Sequence, residues 1–114
     1  MNADSTIRAL AALAQEHRLA AYRLLVQAGR QGLAAGAIAE ALALPASSMS
    51  FHLAQLTHAG LVTPVRHGRS IVYAADYGAM GALMAYLTEN CCGGTSCAPG
   101  AADCQPGQTE MDAA

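Results

Sequence analysis

The chain has 114 residues, 54% of them apolar and 12% charged, which suits one compact domain and excludes a polyelectrolyte too polar to fold. Its net charge of −2 is unevenly divided: residues 1–69 hold all six arginines and three of the eight acids (+3), and residues 70–114 hold five acids and no base (−5). A basic body with an acidic end fits phosphate contact by one part of the molecule, with ordinary surface scatter as the alternative.

The opening MNADSTIRAL lacks the basic segment and long apolar core of a secretory signal. No apolar run reaches the ~18 residues a membrane span needs, so a cytoplasmic protein with no membrane partner is expected. Alanine occurs 27 times among few aromatics, which favours helix. A first helix is predicted over 5–15, capped by Asp4 or Ser5, with Ile7, Leu10, Ala11 and Leu13 on one apolar stripe. A second over 17–28 repeats the pattern with Leu19, Tyr22, Leu25 and Val26 and stops at Gly29. Gly32 opens a turn, and 34–42 reads as a third, short helix, broken at Leu44-Pro45 because the residue before proline is driven from the helical region. A fourth is predicted over 46–59, with Met49, Leu53 and Leu56 inward, ending at Gly60.

Over 61–75 the period changes. Val and Ile cluster there, and His67-Gly68 between two β-prone arms signals a tight hairpin with Pro64 on an exposed edge. Helical spacing returns from Asp76 to about Glu89, with Met80, Leu83, Met84 and Leu87 as its apolar stripe. The predicted fold is therefore mainly α with a β-hairpin wing, a winged helix-turn-helix in the order α-α-α-α-β-β-α. Residues 1–90 form the DNA-binding and dimerisation domain, and 91–114 a flexible cysteine-containing tail. The core of one protomer is modest, and a small apolar domain often completes it by dimerising.

Two short helices across a tight turn followed by a two-stranded wing make an architecture that reads double-stranded DNA. Ser47, Ser48 and Ser50 fall in the first turns of the fourth helix, where free backbone N–H groups and partial positive charge favour phosphate and short hydroxyls reach base edges. His52 follows Ser48 by four residues, and Arg66 and Arg69 flank the hairpin tip. Taken singly, Ser47 also reads as a plain helix cap and His52 as a surface residue, and His58 is read as the latter.

Ser50-Phe51-His52-Leu53, Leu56, Ala59-Gly60-Leu61-Val62, Arg66-His67-Gly68-Arg69 and Tyr73 together resemble the ArsR/SmtB family of metal-sensing winged-helix repressors. His17-Arg18-Leu19 with Leu24-Leu25 resembles that family's second helix, and Ile38-Ala39-Glu40 its first helix-turn-helix helix. The resemblance covers roughly residues 5–90. It implies a homodimer joined through the first and last helices that represses an operator until metal binds. Ala35 where a Ser or Thr cap is expected, and the absence of lysine, imply weaker DNA affinity with a shallow salt dependence.

Metal sites in this family vary in position. The first helix-turn-helix helix here has no thiol, and the last has Asp76 and Glu89 without histidine, so two family arrangements do not apply. What remains is Cys91, Cys92 and Cys97, with Cys104 further on. In a cytosolic chain these are expected reduced, which favours metal or redox chemistry over disulfides. Adjacent cysteines diverge on a rigid helix, so the last turn must unwind for both to reach one ion, and Gly93-Gly94 permits the return of Cys97. Three thiolates without a fixed fourth ligand suit trivalent arsenic, as arsenite or methylarsenite, or antimonite; soft thiolates also suit copper(I) and cadmium. The tail resembles that of arsenite-responsive members of the family. A Cys₄ zinc or cadmium site using Cys104 and a thiol redox switch remain the alternatives. A thiol arsenate reductase fits poorly, since no Lys or Arg follows Arg69 to cradle an oxyanion. A metal buffer with a winged-helix shape is the other rival, because fold does not fix function.

Overall fold

The computed structural model describes residues 1–94; Cys97 and Cys104 lie outside the described residues. Helix α1 (Ala3–Leu13) starts at Asn2, whose side chain accepts from Ser5 N while the Ser5 hydroxyl accepts from Asn2 N, so Asn2 replaces the expected Asp4 or Ser5 as cap. Helix α2 (Glu16–Ala28) is capped by Gln15, which accepts from Arg18 N at 2.9 Å. Then come β1 (Leu33–Ala34), α3 (Ala35–Ala41), α4 (Ala46–His58), β2 (Val62–His67), β3 (Ser70–Ala75) and α5 (Tyr77–Leu87). The sheet is antiparallel in the order β1-β3-β2, so β2 is an edge and Pro64, opposite Tyr73, withholds no needed hydrogen bond. The hairpin turns through Gly68-Arg69, with His67 opposite Ser70.

The predicted helices and wing are all present, and β1 is the addition. Leu33 and Ala34 pair with Tyr73 and Val72, two residues that no periodicity in a single strand could reveal. This pairing explains how α3 begins on Ala34 without a side-chain cap: the backbone before it is held by the sheet.

Leu25, Ile38, Met49, Leu53, Leu56 and Leu61 are fully buried, so the inward face predicted for α4 is the observed one. The outer helices differ from expectation. Helix α1 packs inward through Thr6, Ala9 and Ala12, leaving Ile7 63% and Leu10 41% exposed. On α2 the buried set is Ala21, Tyr22 and Leu25, and Leu19 faces out. Helix α5 buries only Leu83, while Met84 and Leu87 are exposed. Small residues allow α1 a close approach to the body, and this turns its larger apolar side chains away from the protomer's own core. The two helices contact each other, and each leaves large apolar side chains uncovered.

Helix α5 is tied back firmly at its start. Asp76 accepts from Ala79 N at 2.9 Å, the Tyr77 hydroxyl donates to the Val26 carbonyl at 2.7 Å, and the Arg30 guanidinium lies 5.2 Å from the Tyr77 ring centroid. Among the described residues no helix is long and apolar enough to cross a membrane.

Candidate nucleic-acid interface

Helix α4 sorts its side chains by angle. At 100° per residue, Met49, Leu53 and Leu56 point into the core, and Ser47, Phe51, Ala54 and His58 lie on the opposite line. Ser50 is exposed on the flank nearest the wing, where it shares a cleft of about 280 Å³ with Gly36 at the start of α3 and with Arg69, Ser70 and Tyr73. The structure thus brings Ser50 and Arg69 together across 19 positions of sequence. Arg66 is exposed near the tip of the same wing, on β2 opposite Ile71.

Ser48 and His52 occupy the other flank, which faces α2. His52 is half-buried, with its ring centroid 5.7 Å from that of His17, and its Nδ1 is buried with no hydrogen-bond partner. Its placement is therefore between α4 and α2 rather than on the outward line. Burial first, then the nearby Arg18 and His17 charges, hold its pKa below the ordinary 6.5. The folded protein binds fewer protons there than the unfolded chain, so this contribution to stability is undiminished above pH 6.5. It is lost progressively as pH falls from 6.5 through the depressed folded value. The thermal midpoint should fall over that window, and His52→Gln should flatten the fall; an unaltered slope would show that the ring is not shielded.

Sequence reasoning passed over Phe51 as a DNA-facing group. It is 59% exposed on the line through Ser47, and its spacing of four from Ser47 was the available signal. An exposed aromatic on a recognition helix offers a thymine methyl an apolar contact.

A helix-turn-helix domain family matches residues 13–65, spanning α2 to the first half of the wing. No curated protein matches the chain in sequence. Among solved structures, an ArsR-like transcriptional regulator from Rhodococcus sp. RHA1 is similar at 29% identity and a TM-score of 0.65, over 76% of this chain and 78% of that one. HlyU from Vibrio cholerae is similar at 28% identity and a TM-score of 0.60, over 76% of this chain and 97% of that one, and a structure of its reduced form is similar too. The homodimeric winged helix-turn-helix DNA-binding domain of a possible ArsR-family regulator from Mycobacterium bovis is 30% identical, with a TM-score of 0.60, over 76% of this chain and 81% of that domain. The chain belongs to the ArsR family.

As an ArsR-family winged helix, it is a transcriptional regulator of the DNA-binding kind. Cys91 and Cys92 lie past the far end of α5. The helix stops at Leu87, with Thr88 as its last capping position, and left-handed backbone at Asn90 (φ 58°) and Cys92 (φ 59°) carries the chain into a short 3₁₀ turn, Cys92–Gly94. Both cysteines therefore lie beyond the regular turns of α5. Cys91 is half-buried and Cys92 exposed. Burial, followed by the hydrogen bond and charge of the neighbouring Cys92 thiol, pushes the Cys91 thiol pKa up. Among the described residues no group of three His, Cys, Asp or Glu could hold a metal ion.

Proposed function

We propose that the chain is a cytoplasmic repressor that binds double-stranded operator DNA as a homodimer and releases it when trivalent arsenic or antimony is held by Cys91, Cys92 and Cys97. The observation that carries the DNA reading is the convergence of Ser50 on the recognition helix with Arg69 on the wing, beside an outward line of Ser47, Phe51 and His58. The dimer reading rests on the apolar outer faces of α1 and α5, where Ile7, Leu10, Met84 and Leu87 have no cover within the protomer. The Mycobacterium bovis relative is a homodimer of the same fold.

The effector reading rests on donor chemistry. Two adjacent thiols in a non-helical turn suit a soft, three-coordinate centre, to which trivalent arsenic supplies strong bonds to sulfur. Coupling runs through α5. Its end carries the thiol turn, and its start is clamped to α2 through Tyr77 and Val26 and is continuous with β3 of the wing. A change of packing at one end thus reaches the elements that set the spacing of the two DNA readers.

Selection from a random duplex pool tests the reading. Enrichment of a pseudo-palindromic site is expected, with half-sites one helical turn (~34–36 Å) or a multiple apart. Arg69→Gln should weaken binding to it several-fold, and arsenite should release it. Absence of any enriched sequence would overturn the operator reading. The similarity to reduced HlyU favours one second reading, a thiol redox switch at the same cysteines. Release by peroxide without arsenite would select that reading.

A further inference from the structure

A second cleft, of about 310 Å³, opens on the flank of α4 away from the wing. Arg8 of α1, Arg18 of α2, and Gln55 and His58 of α4 line it over a floor of alanines. Its polar inventory is two guanidinium groups, an imidazole and an amide, with no carboxylate. The Arg18 Nε donates to the Ala12 carbonyl at 2.7 Å, which fixes the guanidinium plane. Among the described residues neither Arg8 nor Arg18 has a carboxylate within ion-pairing distance.

Two like charges turned into one cleft repel each other unless an anion lies between them, and guanidinium forks match tetrahedral oxyanions in geometry. The local positive field is felt at His52, further up α4, where Arg18 disfavours the charged ring. The alanine floor leaves room for an anion to reach both forks. His58 also lies on the outward line of α4, so the cleft opens beside the surface presented to the DNA groove.

We propose that this cleft is a phosphate-binding site whose occupant is a phosphodiester of the DNA backbone bordering the groove that α4 enters. The assignment rests on the operator-binding reading and adds a backbone contact on the side opposite the wing. It predicts that binding depends on salt more steeply than the wing arginines alone would give, in a chain without lysine.

Arg8→Gln tests it in the full-length protein. Arg8 is exposed and glutamine is a good helix former, so the fold is retained, which circular dichroism checks. Binding to the selected operator and to a scrambled duplex is measured across a salt series. The variant should weaken both duplexes by the same factor and lower the slope of log K against log salt by about 0.9 for each phosphate no longer neutralised, or about 1.8 for a dimer. An unchanged slope and affinity, with Arg69→Gln still weakening the operator, would overturn the cleft and leave the operator reading standing. Inorganic phosphate titrated into the DNA-free protein, followed by the His58 ring resonances, distinguishes the source. Saturation in the wild type that is lost in Arg8→Gln, with DNA slopes unchanged, would overturn the phosphodiester assignment in favour of a free oxyanion.

Discussion

Replacing Cys91 and Cys92 together by serine is expected to leave operator affinity within about twofold of wild type and to abolish its response to arsenite. Both side chains lie beyond α5, on the opposite end from the clamp formed by Tyr77 and Val26, and neither belongs to the core. Serine preserves size but loses the soft donor, so the substitution removes the bonds to the effector while sparing the fold. Coupling free energies of about 1–3 kcal/mol are typical of such linked sites, so wild-type affinity should fall roughly 5- to 150-fold at saturating arsenite and the variant's not at all. Linkage requires the reciprocal effect: operator DNA must weaken arsenite binding by the same factor. Gel shift with and without arsenite checks the first statement, and thiol-to-arsenic stoichiometry with and without DNA the second. A double variant that still left the operator would mean that the sensor is not this turn. Cys97→Ser refines the result, since two thiols satisfy a monomethylated species and three favour arsenite.

Gly32→Ala should produce a large loss of stability from a single added methyl group. Gly32 has φ +71°, and a Cβ there would collide with the Tyr73 carbonyl of β3, a backbone atom that cannot swing aside. The left-handed conformation costs about 1–2 kcal/mol for alanine, and relief of the collision requires moving β1 off β3. A total of about 2–4 kcal/mol is expected, or roughly 10–25 °C in thermal midpoint for a domain of this size, compared at equal protein concentration because the dimer contributes. Gly60→Ala supplies the control. Its φ is +79°, with Leu61 N donating back to the Leu56 carbonyl as in a left-handed helix cap, but a Cβ there meets nothing within 4 Å, so it should lose only the conformational part. Equal losses in the two variants would show that the β1–β3 approach is not tight. The damage should extend to function, because β1 leads directly into α3 and pairs with Tyr73 and Val72 of the wing, the frame that brings Ser50 beside Arg69.

Much of this molecule is legible in the amino-acid order alone. The inward line of Met49, Leu53 and Leu56 and the hairpin over 61–75 follow from periods of 3.6 and 2, which act over a few residues, whereas α3 already ends at Ala41 with left-handed Ala43 after it, before Pro45 is reached. Periodicity tells which side chains of α1 and α5 are apolar, but not which surface covers them. Ile7 and Leu10 face outward because Ala9 and Ala12 allow the closer approach to the body, a choice made by packing between helices. Strand β1 exists only through its partner. Likewise, the clefts gather residues 34–36 with 50, 69–71 and 73, and residues 8 and 18 with 55 and 58, positions that no local pattern connects. Short-range rules thus determined the helices and the wing, and their order. The tertiary structure alone decided which faces stay uncovered and which charges share a cleft, because those depend on contacts between segments far apart in the chain.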